Sequence, residues 1–201
     1  MDRMQALLRH YQREFRPRIA DEDAWFMGQP SLALAISLAG QAQDWRGKRL
    51  PHSNRLRPMQ LRKAEASLLA AQPSIAHCRS FDELLGIVSS RLKTIWTNPE
   101  LFSYDTALRI GAKLGLMPEK VYLHRGTRIG ARALGLDARA DFLRMDQLPS
   151  FLRVLEPREV EDFLCIFKDK FERSGPGDMQ TSSPNEFEAK RAHPHRRRHP
   201  C

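Results

Sequence analysis

A chain of 201 residues with 41% hydrophobic content has apolar material for one ordinary domain and its core. Its formal net charge of +9 and isoelectric point near 9.9 point to an acidic partner, of which nucleic acid is the commonest. The longest apolar run, "SLALAISLAG" from Ser31, is about half the length of a membrane helix, and the opening "MDRMQALLRHYQREF" carries charge throughout and no apolar signal core. A soluble, cytoplasmic protein without membrane contact is expected. Cys78, Cys165 and Cys201 are far apart and match no metal or redox spacing, so Cys78 and Cys165, beside apolar residues, are expected as buried free thiols.

Along the chain the apolar residues recur at helical rather than alternating spacing. Met4, Leu7, Leu8, Tyr11 and Phe15 predict an opening amphipathic helix, and Asp21–Pro30 interrupts the pattern. A second helix is predicted over Ser31–Gln43. The segment Arg46–Lys63 then holds seven Lys or Arg and no acid (Arg46, Lys48, Arg49, Arg55, Arg57, Arg62 and Lys63), with Pro58 marking a helix start. That helix should stop before Pro73. Ser80 and Glu83 form a capping box, and Phe81, Leu84, Leu85, Val88, Leu92 and Ile95 line one face of the helix it opens.

The hairpin "WTNPEL" separates this helix from one over Ser103–Leu114. "KVYLH" is the single candidate strand, Thr127–Leu134 a shorter helix closed by Gly135, and Pro157 the start of a last helix through "REVEDFLCIFKDKF". From Glu172 apolar residues almost vanish and the chain ends "RAHPHRRRHPC". Such a tail buries too little surface to offset its ordering entropy. The expected fold is therefore all-α, a helical bundle, with a globular domain over 1–171 and a disordered basic tail over 172–201.

The order helix, hairpin, helix, short extended link, helix over Leu84–Leu136 resembles the helix-hairpin-helix domain of base-excision DNA glycosylases. Thr106-Ala107 falls where that family opens its second helix, and "VYLHRGTRIGARALGL" where it has its catalytic link and following helix. The same core, "YDTALRIGA…VYLH…GARALGL", also resembles that of a bacterial family of uncharacterised function. The resemblance implies a DNA-phosphate site at the hairpin, but glycines would be needed there at Leu101 and Ser103. It would also place a lyase lysine at Asp105 and a catalytic aspartate at His124. A histidine is a poor substitute for a carboxylate that stabilises oxocarbenium-like charge, so glycosylase and lyase chemistry are not expected.

His124, in the turn "YLHRGTR", can serve as a general base, contact a phosphate or base, or hold a backbone carbonyl with its ring. Arg125, Arg128 and Arg132 can share a helix face, either as a phosphate-contacting ridge beside the N–H groups of a helix start with Thr127 nearby or as a solvated basic face. Gly111, Ala112, Gly130 and Ala131 suggest close helix approach, since no buried strand precedes them to make a dinucleotide fingerprint. Trp45 can stack on a base or anchor its loop. Glu156, Glu159, Glu161 and Asp162 suit the start of the last helix through its dipole. Glu159 and Asp162 stand at i, i+3, but no histidine follows at ligand spacing, so neither metal nor cofactor is expected; His193, His195 and His199 in the tail are spaced too loosely to change this.

The function expected is non-catalytic nucleic-acid association, with phosphates contacted by the Arg46–Lys63 cations and by Arg125, Arg128 and Arg132. Two alternatives stay open. One is a nucleic-acid-processing enzyme using His124 with Asp105 as an acid–base pair. The other is a module that binds a protein partner.

Overall fold

The computed structural model describes residues 3–44, 46–49, 56–96 and 100–171. The tail from 172, the basic-loop residue Arg55, Trp45 and the hairpin residue Pro99 lie outside them. Among the described residues the structure is almost wholly helical, and no helix is long and apolar enough to cross a membrane.

The helix starts follow local chemistry. α3 (Leu32–Gly40) opens where the hydroxyl of extended Ser31 accepts the Leu34 N–H at 3.1 Å. α6 (Phe81–Lys93) opens in the same way at Ser80, whose hydroxyl accepts from Glu83 N–H at 3.2 Å. α4 (Pro58–Ala70) carries Pro58 in its first turn, where a missing N–H is harmless. α9 (Pro157–Phe171) is opened by its own Glu159, which accepts the Glu156 N–H at 2.9 Å. At their far ends α7 (Glu100–Leu114) and α8 (Arg125–Ala133) stop at Gly115 and Gly135, both at φ +71, the left-handed conformation that glycine adopts without a Cβ penalty.

Several boundaries differ from expectation. α1 (Arg3–Glu14) is followed directly by α2 (Arg16–Met27), so the interrupted Asp21–Pro30 pattern belongs mostly to a helix. α4 does stop before Pro73, at Ala70, but Pro73 then sits in the first turn of a further short helix, α5 (Gln72–Ala76). α7 begins at Glu100, and α8 begins two residues ahead of Thr127. The candidate strand shrinks to β1 (Val121–Tyr122), paired antiparallel with β2 (Phe142–Leu143) in the register Val121↔Leu143. Cys78 is free and half-buried. Cys165 is buried on α9.

The buried apolar residues fall into two cores. One gathers Phe26, Ile36, Leu68, Ile75, Leu84, Leu92 and Ile110 from α2 to α7. The other gathers Tyr11, Val121, Leu143, Leu152, Phe163, Leu164 and Phe167 from α1, the two-stranded sheet, the turn before α9 and α9 itself. Gly111 and Gly130 do not pack their helices on one another. A Cβ on Gly111 would meet the Leu116 carbonyl just past the end of its own helix, whereas Gly130 lies directly on the Leu164 backbone of α9.

Candidate functional site

Between the cores, α2, α7 and α9 meet through charged side chains. Arg109 of α7 donates to Glu22 of α2 at 2.7 Å, Arg158 of α9 pairs with Asp23 of α2, and Arg16 of α2 grips Glu159 of α9 through two nitrogens, one at 2.8 Å. Arg109, Arg158 and Glu159 are buried. Burial opposes the charge of Arg158, but Asp23 and Asp162 outweigh it and hold the guanidinium above its ordinary pKa. Burial, with Glu161 alongside, pushes the Asp162 carboxyl well above the usual carboxylate range.

His124 sits at the edge of this seam, 4% exposed, as the N-cap of α8. Its Nδ1 accepts the Gly126 N–H at 3.2 Å, so in the neutral ring the proton is on Nε2, which donates to the carboxylate of buried Glu161. Burial lowers the imidazole pKa. The Glu161 hydrogen bond and charge, then Asp105 and Glu100, reverse this and raise it above the ordinary value. Thr127 completes the cap: its hydroxyl accepts the His124 N–H at 2.7 Å and donates to the His124 carbonyl at 2.8 Å.

This geometry alters the expected chemistry. The carboxylate bonded to His124 is Glu161, not Asp105, which acts on the ring only through its charge. Neither ring nitrogen faces a substrate, because one is spent on Glu161 and the other on the helix cap. The expected open anion site at the start of α8 is likewise filled by His124 and Thr127, both buried. The ring does bond backbone, but as an acceptor from an N–H rather than as a partner to a carbonyl.

Arg125 and Arg132 project from α8 as exposed side chains. Arg128 is half-buried and turned inward: it donates to the carbonyls of Ala138 at 3.0 Å and Ala140 at 2.6 Å and lies 3.8 Å from Glu100 and 3.6 Å from Asp141. The expected three-arginine ridge is therefore two exposed cations and one clamp on the turn that leads into β2.

The basic segment is arranged differently. Asp44 accepts the N–H groups of Arg46 and Lys48, both at 2.8 Å, which folds residues 41–49 into a turn closed by the Gln43–Arg49 bridge. Arg49 is half-buried and donates to the Leu56 carbonyl at 3.2 Å. Arg46, Lys48, Arg57, Arg62 and Lys63 are exposed. Among the described residues Lys48, Arg57, Arg62 and Lys63 have no carboxylate partner. Turn and α4 enclose a cleft of about 280 Å³ lined by Gln41, Gln43, Gly47, Arg49, Leu61 and Arg62, with no acid among the described residues of its wall.

Glu161 and Arg158 are the residues that the sequence reading missed. The run "PREVEDF" resembles an ordinary acidic helix start. At about 100° per residue Glu159, Glu161 and Asp162 fall on one side of the helix and Val160, Phe163 and Leu164 on the other, so the pattern reads as an ordinary amphipathic helix and gives no signal that Glu159 and Glu161 are buried. Comparison of the chain with protein-family models, curated proteins and solved structures found no match.

Proposed function

We propose that this chain is a non-catalytic, nucleic-acid-associated helical domain whose phosphate contacts come from the turn at 41–49 and the first turns of α4. The observation that carries the reading is the contrast in how its cations are used. Arg16, Arg109 and Arg158 are each matched to a carboxylate, whereas Lys48, Arg57, Arg62 and Lys63 stand exposed and, among the described residues, unmatched beside a cleft that shows no acid. Unneutralised cations beside polar side chains suit a phosphate backbone, which they hold without reading sequence.

On this reading α6, α7 and the β1–α8 unit are a helix-hairpin-helix-like scaffold that has lost its phosphate turn. The two positions where glycine would be needed lie inside α7: Leu101 is half-buried and Ser103 is buried. The acid–base alternative at His124 has a cavity and a carboxylate in its favour, but it needs Nδ1 to leave Gly126 before the ring can take a proton.

The direct test is fluorescence anisotropy of the full chain with labelled single-stranded DNA, duplex DNA and RNA. Wild type is compared with Arg57→Gln/Arg62→Gln/Lys63→Gln and with Arg125→Gln/Arg132→Gln. The first variant is expected to lose most of the affinity and the second little. Equal binding by all three proteins, or none by wild type, would remove the reading.

A further inference from the structure

A second cavity, of about 460 Å³, opens between α6, α7 and the junction of β1 with α8, and shares no residue with the basic cleft. Its floor is aromatic, with Tyr104 and His124 buried and Tyr122 half-buried. The rings of Tyr104 and Tyr122 lie 5.6 Å apart at 46°, His124 lies 6.4 Å from Tyr104, and Ser103 is 1% exposed. The Ser103 Oγ and the Tyr122 hydroxyl are buried without a hydrogen-bond partner in the protein. A hydroxyl left in that state is destabilising, and a ligand group that reaches it removes the penalty.

The rim has the opposite character. It carries Lys93, Glu100, Arg128 and Asp141, two cations and two carboxylates. Arg128 lies against both carboxylates, while Lys93 has no partner among the described residues. Two carboxylates at the mouth repel a polyphosphate, so this opening does not continue the phosphate-binding face. Charges of both signs above an aromatic floor instead complement a molecule that carries both signs on one end and a flat ring on the other. A cavity of this size is within the ordinary range for small-ligand sites.

We infer that this cavity binds a small aromatic zwitterion of the chemical class of the free aromatic amino acids. The ring rests among Tyr104, Tyr122 and His124, a ring donor meets the unpartnered hydroxyls, the carboxylate faces Lys93, and the ammonium faces Glu100 and Asp141. The assignment does not depend on the nucleic-acid reading, since it uses none of the same residues.

The test is calorimetric titration of the full chain with three probes: L-tryptophan, tryptamine, which lacks the carboxylate, and indole-3-propionate, which lacks the ammonium. Wild type should bind L-tryptophan saturably with a dissociation constant below about 1 mM, and each one-charge analogue about tenfold more weakly. Lys93→Met, at an exposed position, should weaken L-tryptophan and indole-3-propionate and leave tryptamine unchanged. Absence of saturable binding by L-tryptophan, or equal affinity for the three probes with no effect of Lys93→Met, would overturn the assignment.

Discussion

His124 and Glu161 form a buried pair in which the Nε2–H of one ring is held by a carboxylate from another helix, while Nδ1 of the same ring caps α8 through Gly126. One side chain thus fixes the start of α8 and ties it to α9. Replacing His124 by Ala strips the cap and orphans Glu161, and breaking a buried pair from one side costs about 3–5 kcal/mol. Glu161→Gln keeps an acceptor for Nε2–H and should cost less, about 1–2 kcal/mol. Urea denaturation of the two variants checks that order.

The same pair sets a pH dependence. Because the folded-state pKa of His124 is raised, the folded protein binds this proton more tightly than the unfolded chain does. Its stabilising contribution is full below the ordinary histidine value of about 6.5 and is lost as pH rises through the folded pKa. The proton that arrives on the acid side goes to Nδ1, where it turns an acceptor toward the Gly126 N–H into a donor. Stability against pH should therefore slope downward above about 6.5 in wild type relative to His124→Asn. Hydrogen exchange at the Gly126 amide should speed up as pH falls through the same transition, after correction for intrinsic rates.

Asp162 behaves in the same sense for a different reason. Its pKa is raised by burial and by Glu161, so the folded state favours its neutral acid. Wild type should lose stability relative to Asp162→Asn as pH rises through the folded pKa, because the amide cannot ionise. Paired thermal melts taken from the ordinary carboxylate range upward in pH read this difference.

Gly130 admits no side chain. A Cβ there would run into the Leu164 carbonyl group of α9, with the carbonyl carbon at 2.9 Å and Cα at 3.1 Å, both backbone. Gly130→Ala should destabilise by about 1–3 kcal/mol or more as α8 is pushed off α9. Gly86→Ala, with nothing within 4 Å of the new carbon, should leave thermal stability unchanged or slightly raised and serves as the control.

The legible parts of this fold were those decided by neighbours in sequence. Ser31, Pro58, Ser80 and Pro157 start helices through groups a few residues away, and Gly135 ends one. The misread part, α2, carries its meaning in tertiary partners. Glu22 and Asp23 turn toward Arg109 and Arg158, so its inward face is charged and the apolar periodicity that marks a helix is absent. β1 had too short a signal to show that Phe142 and Leu143 would pair with it. At the candidate site, His124 and the basic segment stood out by residue type. Their partners did not: Glu161 lies one helix away, and the inward turn of Arg128 depends on carbonyls in a loop without periodicity.

The proposal that the exposed cations around the turn at 41–49 and α4, unmatched among the described residues, hold phosphates is tested by the salt dependence of binding. Affinity of the full chain for a labelled duplex is measured across a potassium chloride series for wild type and for Lys48→Gln/Arg57→Gln/Arg62→Gln/Lys63→Gln. Log affinity should fall linearly with log salt, and the variant should both bind more weakly and lose roughly 0.9 from the slope for each phosphate contact removed. Identical slopes and affinities for the two proteins would contradict the claim.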